Sequence, residues 1–393
     1  MAERVFVHIG LPKTATTYLQ TILWESRDQL RAEGLLVPGA ERRDHLWSSR
    51  LVRGEAARST PDARAETAWD RLRAEVVAWQ GRALVSHEFF AAASSEQAAT
   101  MVAQLAPAEV HVVVTAREPL GLFAAGWQES LKNRATERME EFATEESTSP
   151  SSIWNWRTLD LGLVLDRWGG VVPPERVHVL PLPRGGAPRD TIWHRFAGLL
   201  GLDSHAYDLG TGFANSSMGV VEAETLRRVN EHLAAREELE SALERGNLLR
   251  TFLADERLVP RGGERYWPTP AQVEDARARG VRARDLVRER GFDVVGDPED
   301  LLVPDDLPER RQVASVTDAE VADVATDVVA GLLADVRDLR REKFAHRREA
   351  RLARQEVRAL EARLATPPPP LPPLWRHAGS KVKQGLLRVA RRT

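Results

Sequence analysis

The chain has 393 residues, 42% apolar and 29% charged, with a formal net charge of −3 and no cysteine. That profile suits a globular protein of about two to three domains and excludes a mostly disordered or collagen-like polymer. It also excludes a disulfide framework, a thiolate nucleophile, a thiolate zinc site and an iron–sulfur cluster. No apolar run approaches the roughly 20 residues that span a bilayer. The N-terminal segment MAERVFVHIG enters a strand-like run without a leader pattern, so the expected location is the cytoplasm.

Four short runs rich in β-branched residues read as buried strands: Val5–Ile9, Ala83–Ser86, Val110–Thr115 and Val177–Leu180, with a weaker one over Gly34–Pro38. Helical patterns lie between them, over Thr16–Glu33, Asp62–Trp79, Ser95–Leu105 and Leu120–Asn133. Such alternation predicts an α/β fold, a parallel sheet covered by helices on both faces, with ligands bound beyond the C-terminal ends of the strands. Further helices are expected over Ser151–Gly169, Asp190–Leu200, Met218–Arg245 and from Thr269-Pro270, an N-cap followed by proline, to about Arg290.

Thr317-Asp-Ala-Glu320 is a capping box that opens a long helix to about Leu364. Val321, Val324, Val328, Leu332, Val336 and Leu339 share one face of it, and the second half is charged nearly all round. The expected organisation is an α/β domain over 1–315, a charged helix over 316–365 able to form a coiled coil and thereby oligomers, a stiff Pro-rich linker over 366–373 and a basic amphipathic tail over 374–393. From Arg337 to Thr393 the charge balance is +11, against −14 in the rest. A basic tail on an acidic body fits peripheral contact with an anionic membrane; the other readings are a solvated helix face and a tail that mediates oligomers. No nucleic-acid module accompanies it, so no nucleic-acid partner is expected.

The strongest signal is Val5-Phe-Val-His-Ile-Gly-Leu-Pro12-Lys13-Thr14-Ala15-Thr16-Thr17-Tyr-Leu-Gln20, a strand, a tight turn and a helix start. A helix N-terminus presents unpaired N–H groups and a positive dipole end. With Lys13 and the hydroxyls of Thr14, Thr16 and Thr17 it forms a cradle for a phosphate-like anion.

Pro12-Lys13-Thr14-Ala15-Thr16-Thr17-Tyr18-Leu19 resembles the 5′-phosphosulfate loop of the PAPS-dependent sulfotransferases, including their bacterial members, typically P-K-[ST]-G-T-T-[WY]-L. His111-Val-Val-Val-Thr-Ala-Arg117-Glu-Pro119, leading into Trp127, resembles that family's 3′-phosphate motif, an apolar strand ending in Arg before a helix. The resemblance implies a P-loop-like three-layer fold plus a C-terminal helical extension. It implies transfer of a sulfuryl group from PAPS to a hydroxyl or amine on a small-molecule or glycan acceptor, carbohydrate or glycolipid, with PAP released and no metal required. Lys13 would hold the phosphosulfate and Arg117 the 3′-phosphate. The chain departs from the pattern at Ala15, where the family has Gly, and at Ala125, where it has Ser, so Gln128, Ser130 or backbone is expected to supply the missing contact.

After the second main strand come His87 and Glu88, in the register where the family places its catalytic base. Neighbouring side chains in extended chain point to opposite faces, so one of the two is expected to face the cleft. His87 ranks first by its intrinsic pKa, and Glu88 serves if burial raises its own. Val85 stands where relatives carry a lysine. His45 is a weaker candidate for the acceptor site. Two other readings compete: a P-loop kinase or NTPase, although the glycine spacing is missing and Arg117 follows the strand where a magnesium-binding Asp would stand, and a catalytically degenerate sulfotransferase fold used as an interaction scaffold.

Overall fold

The four apolar runs form the centre of one sheet because each buries both faces. The computed structural model describes residues 1–55, 62–210 and 217–365. The strands are β1 (Arg4–His8), β2 (Leu35–Leu36), β3 (Arg82–Ser86), β4 (Glu109–Ala116), β5 (Val177–Pro181), β6 (Tyr266–Trp267), β7 (Asp293–Val294) and β8 (Arg311–Gln312). Six of them make a sheet in the order β2-β3-β1-β4-β5-β7, every pairing parallel, and β6 with β8 forms a separate two-stranded ladder. The edge strand β7 has no apolar run of its own. It exists through pairing with His178 and Val179 of β5.

Alternate residues of each strand feed two cores. Val5, Val7, Val85, Val112, Val114, Val177 and Val179 pack with Phe90, Phe123, Trp127, Trp156 and Trp168 on one face. Phe6, Leu84, Val113 and Leu180 pack with Leu19, Ile22, Trp193 and Phe196 on the other. Helices thus cover both faces of an α/β sheet, as the alternation implied. Several expected helices are interrupted or shortened. The first stops at Glu25 and restarts as Arg27–Ala32. Asp160, with extended backbone and its side chain accepting from Leu163 N, divides Trp156–Leu159 from Leu161–Trp168. The helix expected over Met218–Arg245 is Val220–Ala235, and Arg245–Leu258 winds in wide π turns.

The chain divides into two units, Met1–Val328 and Val329–Thr393. The capping box at Thr317 forms, with Thr317 N donating to Glu320 Oε2 at 2.8 Å. It starts a helix Asp318–Ala365, whose first turns bury Val321 and Val324 in the first unit. The proline-rich linker and basic tail lie outside the described residues, and with them the proposed membrane contact. Among the described residues no helix is long and apolar enough to cross a membrane.

The sheet leaves a polar group buried at its centre. His8, the last residue of β1, is fully enclosed between β3 and β4. Its Nδ1 lies 2.8 Å from Ser86 Oγ and its Nε2 3.1 Å from Thr115 Oγ1. Thr115 Oγ1 is 2.7 Å from Thr14 Oγ1, which donates to Leu11 O. Each hydroxyl has one proton, so only one direction satisfies every bond: Ser86 donates to His8, His8 Nε2–H to Thr115, Thr115 to Thr14 and Thr14 to the loop carbonyl. This needs a neutral ring, and burial holds the His8 pKa down to about 3. Gln20 Nε2 closes the far end, donating to Ser86 O at 2.8 Å.

Replacing His8 with Ala empties a packed site and strands the Ser86 and Thr115 hydroxyls. The expected loss is about 2–4 kcal/mol of unfolding free energy, read from urea unfolding. A loss well under about 1 kcal/mol would mean that the chain of bonds does not brace the strand ends.

Candidate active site

In an open parallel sheet the crevice lies where successive connections diverge to opposite sides. Here β1 has β3 on one side and β4 on the other, so the loop Gly10–Ala15 stands at that point. The loop leaves β1 by extending its pairing with β4, through Ile9 N to Val113 O at 2.9 Å and Leu11 N to Thr115 O at 2.7 Å. It then turns through two non-glycine left-handed residues, Lys13 at φ 65° and Ala15 at φ 63°. Ala15 therefore keeps the conformation for which glycine is favoured and carries a Cβ in it. Gly10, also at positive φ, lets Thr16 and Glu88 close over it, since a Cβ there would meet Thr16 Oγ1 at 2.9 Å and Glu88 Cβ at 3.2 Å.

The helix Thr16–Glu25 begins without a side-chain cap. Its first residues, Thr16 and Thr17, line a cleft of about 1440 Å³ together with Lys13 and Ala15, and a helix start leaves its first N–H groups without intrahelical partners. Thr16 Oγ1 is buried with no hydrogen-bond partner among the described residues. Thr14 is not a cleft residue: its hydroxyl is used in the chain of bonds to His8. Pro12 is likewise buried away from the cleft.

Lys13 Nζ reaches across the cleft to Glu129 Oε1 at 3.0 Å. Burial alone would push the Glu129 carboxyl up, but Lys13, Arg250 and Lys132 together pull it down to about 2. Glu129 is a fixed anion among three cations, with Arg250 Nη1 at 2.7 Å and Lys132 Nζ at 3.7 Å. Arg117 follows β4, the neighbour of β1, and lines the same cleft. Its Nε lies 3.3 Å from Glu118, which caps the helix Pro119–Lys132 by accepting from Gly121 N. Gly121 leaves room for both side chains, since a Cβ there would displace the Glu118 carboxylate and the Arg117 guanidinium.

His87 and Glu88 follow β3 and both line the cleft. Arg157 and Arg167 clamp the turn that carries them. Arg157 Nε donates to Ala92 O at 2.9 Å, and Arg167 donates to Ala93 O at 3.1 Å and Ala91 O at 2.9 Å. His87 Nδ1 accepts from Phe89 N at 3.1 Å. Burial, the neighbouring His45 and the charges of Arg42, Arg53 and Arg50 hold the His87 pKa well below its ordinary value. A neutral ring whose Nδ1 is an acceptor carries its proton on Nε2, so His87 offers the cleft a donor and has no lone pair left to serve as base. Glu88 has the opposite character. Burial raises its pKa against the pull of Arg42 and Lys13, and its Oε2 is buried without a hydrogen-bond partner among the described residues, 3.9 Å from His87 Nδ1. Intrinsic pKa ranks His87 before Glu88; in the fold the Phe89 N–H occupies the His87 Nδ1 lone pair.

Two expected ligands sit elsewhere. His45 does not line the cleft: it is buried, with Nε2 2.7 Å from Pro38 O and Nδ1 accepting from Ser86 N at 3.0 Å. Gln128 is a strut, donating to Tyr266 Oη at 2.6 Å and Met218 O at 3.1 Å while accepting from Met218 N. Ser130 donates to Trp127 O, so it supplies no replacement for a Ser at Ala125 either. Arg310 does line the cleft. Its guanidinium lies 3.7 Å above the Trp267 ring, and burial, with smaller repulsions from Arg265 and Arg117, depresses its pKa. Nothing in the local sequence Glu309-Arg-Arg-Gln marks it. Arg43 and Arg50, one helical face apart by seven residues, also open on the cleft, and among the described residues neither has an ion-pair partner. In all, nine basic side chains line the cleft against five acidic ones. The arrangement can hold a multiply charged anion and offers one unpartnered carboxylate oxygen to a proton.

No family model, curated protein or solved structure matches the chain.

Replacing Ala15 with Gly removes the left-handed penalty and leaves the loop shape unchanged. The melting temperature is expected to rise by about 1–3 °C, while Ala15→Val, which puts a β-branched residue at positive φ, lowers it. Thermal unfolding of the two variants checks the loop conformation directly.

Proposed function

We propose that this chain is a sulfotransferase that moves a sulfuryl group from PAPS to a hydroxyl or amine acceptor. The observation that carries the reading is the meeting of Lys13 and Arg117, from the ends of adjacent parallel strands, in one cationic cleft beside an uncapped helix start. The residues present suit such a donor: the orphaned Thr16 hydroxyl and first-turn N–H groups fit the 5′ end, and Arg117 with Arg310 fits a 3′-phosphate.

The donor supplies an activated sulfuryl group on a phosphate leaving group. The acceptor oxygen forms a bond to sulfur as the sulfur–oxygen bond to phosphate breaks, and the leaving phosphate keeps that electron pair. Lys13 has three donors, of which one is engaged by Glu129, so two remain for the leaving and sulfuryl oxygens. Glu88 takes the acceptor proton on its unpartnered oxygen. His87, as an Nε2–H donor, binds an acceptor or sulfuryl oxygen. The strand order β2-β3-β1-β4-β5 and the lysine loop also suit a kinase, so nucleotide preference is the deciding measurement.

Adenosine 3′,5′-bisphosphate at about 100 times its Kd should stabilise the fold by about 2.7 kcal/mol. ATP with magnesium should not, and stabilisation by ATP alone would favour the kinase. Lys13→Ala should reduce turnover at least about 100-fold, whereas Arg117→Ala should chiefly weaken bisphosphate binding, by about 10- to 100-fold.

The base assignment has its own test. Turnover should rise with pH through an apparent pKa above the ordinary glutamate value, because the raised Glu88 carboxyl must lose its proton before it can accept one. Glu88→Gln should abolish that acid limb and lower the rate about 10²–10⁴-fold, with His87→Gln milder and keeping the limb. The opposite ranking would return the role of base to His87.

A further inference from the structure

The helix Asp318–Ala365 runs unbroken well past its last buried residue, Val324. From Val329 onward the second unit consists, among its described residues, of this helix alone. Large apolar side chains on it are exposed: Val329 by 53%, Leu339 by 62% and Leu364 by 86%. Their spacing is regular. Val329, Leu332, Val336, Leu339, Lys343, His346, Ala350, Ala353, Val357, Leu360 and Leu364 recur at alternating steps of three and four, the a and d positions of a heptad repeat. A helix of 3.6 residues per turn keeps such a seam on one face only by supercoiling with a neighbour.

Three features of the seam specify that neighbour. Val329, Val336 and Val357 stand at a, and Leu332, Leu339 and Leu360 at d. A β-branched residue at a with Leu at d favours two strands over three or four. Lys343 at a, midway along the seam, is a polar interruption of the kind that pins register at some cost in stability.

The flanking charges are sorted. The g positions carry Asp335, Glu342 and Glu349, and the e positions five residues later carry Arg340, Arg347 and Arg354. In a parallel pair each g residue faces the e residue five positions on in the partner, so every one of these contacts joins opposite charges. An antiparallel pair sets e against e and g against g, placing Arg beside Arg and carboxylate beside carboxylate. Only Glu356 against Glu361 is like-charged in the parallel arrangement. Among the described residues Arg340, Arg347, Arg354 and Glu342 have no ion-pair partner within the chain, whereas Asp338, outside the seam, pairs with Arg337 and Arg341.

We infer that residues 329–364 form one strand of a parallel, in-register, two-stranded coiled coil whose other strand is a second copy of this chain. The apolar seam supplies the association, and the g-to-e charges select the orientation and the identical partner. This inference is independent of the reading of the cleft.

Sedimentation equilibrium of the full chain should give twice the 43.8 kDa chain mass. The protein has no cysteine, so Val357→Cys introduces a single thiol at an a position. Mild oxidation should link it to its counterpart, which only the parallel register brings within reach. Arg340→Glu, Arg347→Glu and Arg354→Glu combined should raise the dimer dissociation constant at least about tenfold. Mixing that variant with one carrying Asp335→Arg, Glu342→Arg and Glu349→Arg should restore dimers as heterodimers, which separates lost pairing from a misfolded helix. A monomeric wild type, a dimer that Val357→Cys does not link, or a mixture that stays dissociated would each overturn the assignment.

Discussion

The cleft depends on how the sheet disposes of one buried histidine. β1 ends in His8 at the middle of a parallel sheet, where water cannot reach it. An unpaired imidazole there would be costly. The solution is a directional chain of protons from Ser86 through His8, Thr115 and Thr14 to Leu11 O. The chain ties the C-terminal ends of three strands to the loop that follows the first. Because every proton is committed, the ring tautomer and the hydroxyl orientations are set before any ligand arrives, and the loop holds two left-handed non-glycine residues over a rigid base.

Electrostatics explains the other half of the site. Nine cations facing one space repel one another, and Glu129 offsets part of that by sitting between Lys13, Arg250 and Lys132. Its depressed pKa keeps it ionised at all ordinary pH values, so it acts as an internal counter-ion. Glu88 has no such set of close partners, and burial moves its pKa the other way. Two glutamates in one cleft thus have opposite proton affinities because cations outweigh burial at Glu129 and burial outweighs cations at Glu88.

The central strands, the loop after β1 and the place of Arg117 were legible from sequence because they rest on local rules: both-face burial writes β-branched runs, and a loop between strand and helix writes small and hydroxyl residues around a lysine. Arg310 was not legible, since it reaches the cleft from a distant segment with no local signature. Nor were the fates of Thr14, His45 and Gln128. Each carries the right chemistry at a plausible position, and each is spent on a backbone or hydroxyl partner brought by another element. Such partners differ in sequence by up to a hundred residues and more, beyond the range of any spacing rule.

The sequence by itself determined what local chemistry determines: the alternation of strand and helix, the turn and helix start that follow β1, the capped start of the long helix, and the heptads and sorted charges along it, since each depends on neighbours within a few turns. Tertiary structure decided the proton affinities of the two residues after β3. Whether His87 presents a lone pair or a proton rests on the Phe89 N–H, and Glu88 is raised because burial outweighs the pull of Arg42 and Lys13. Proton affinity is a property of surroundings, and surroundings exist only once the chain has folded.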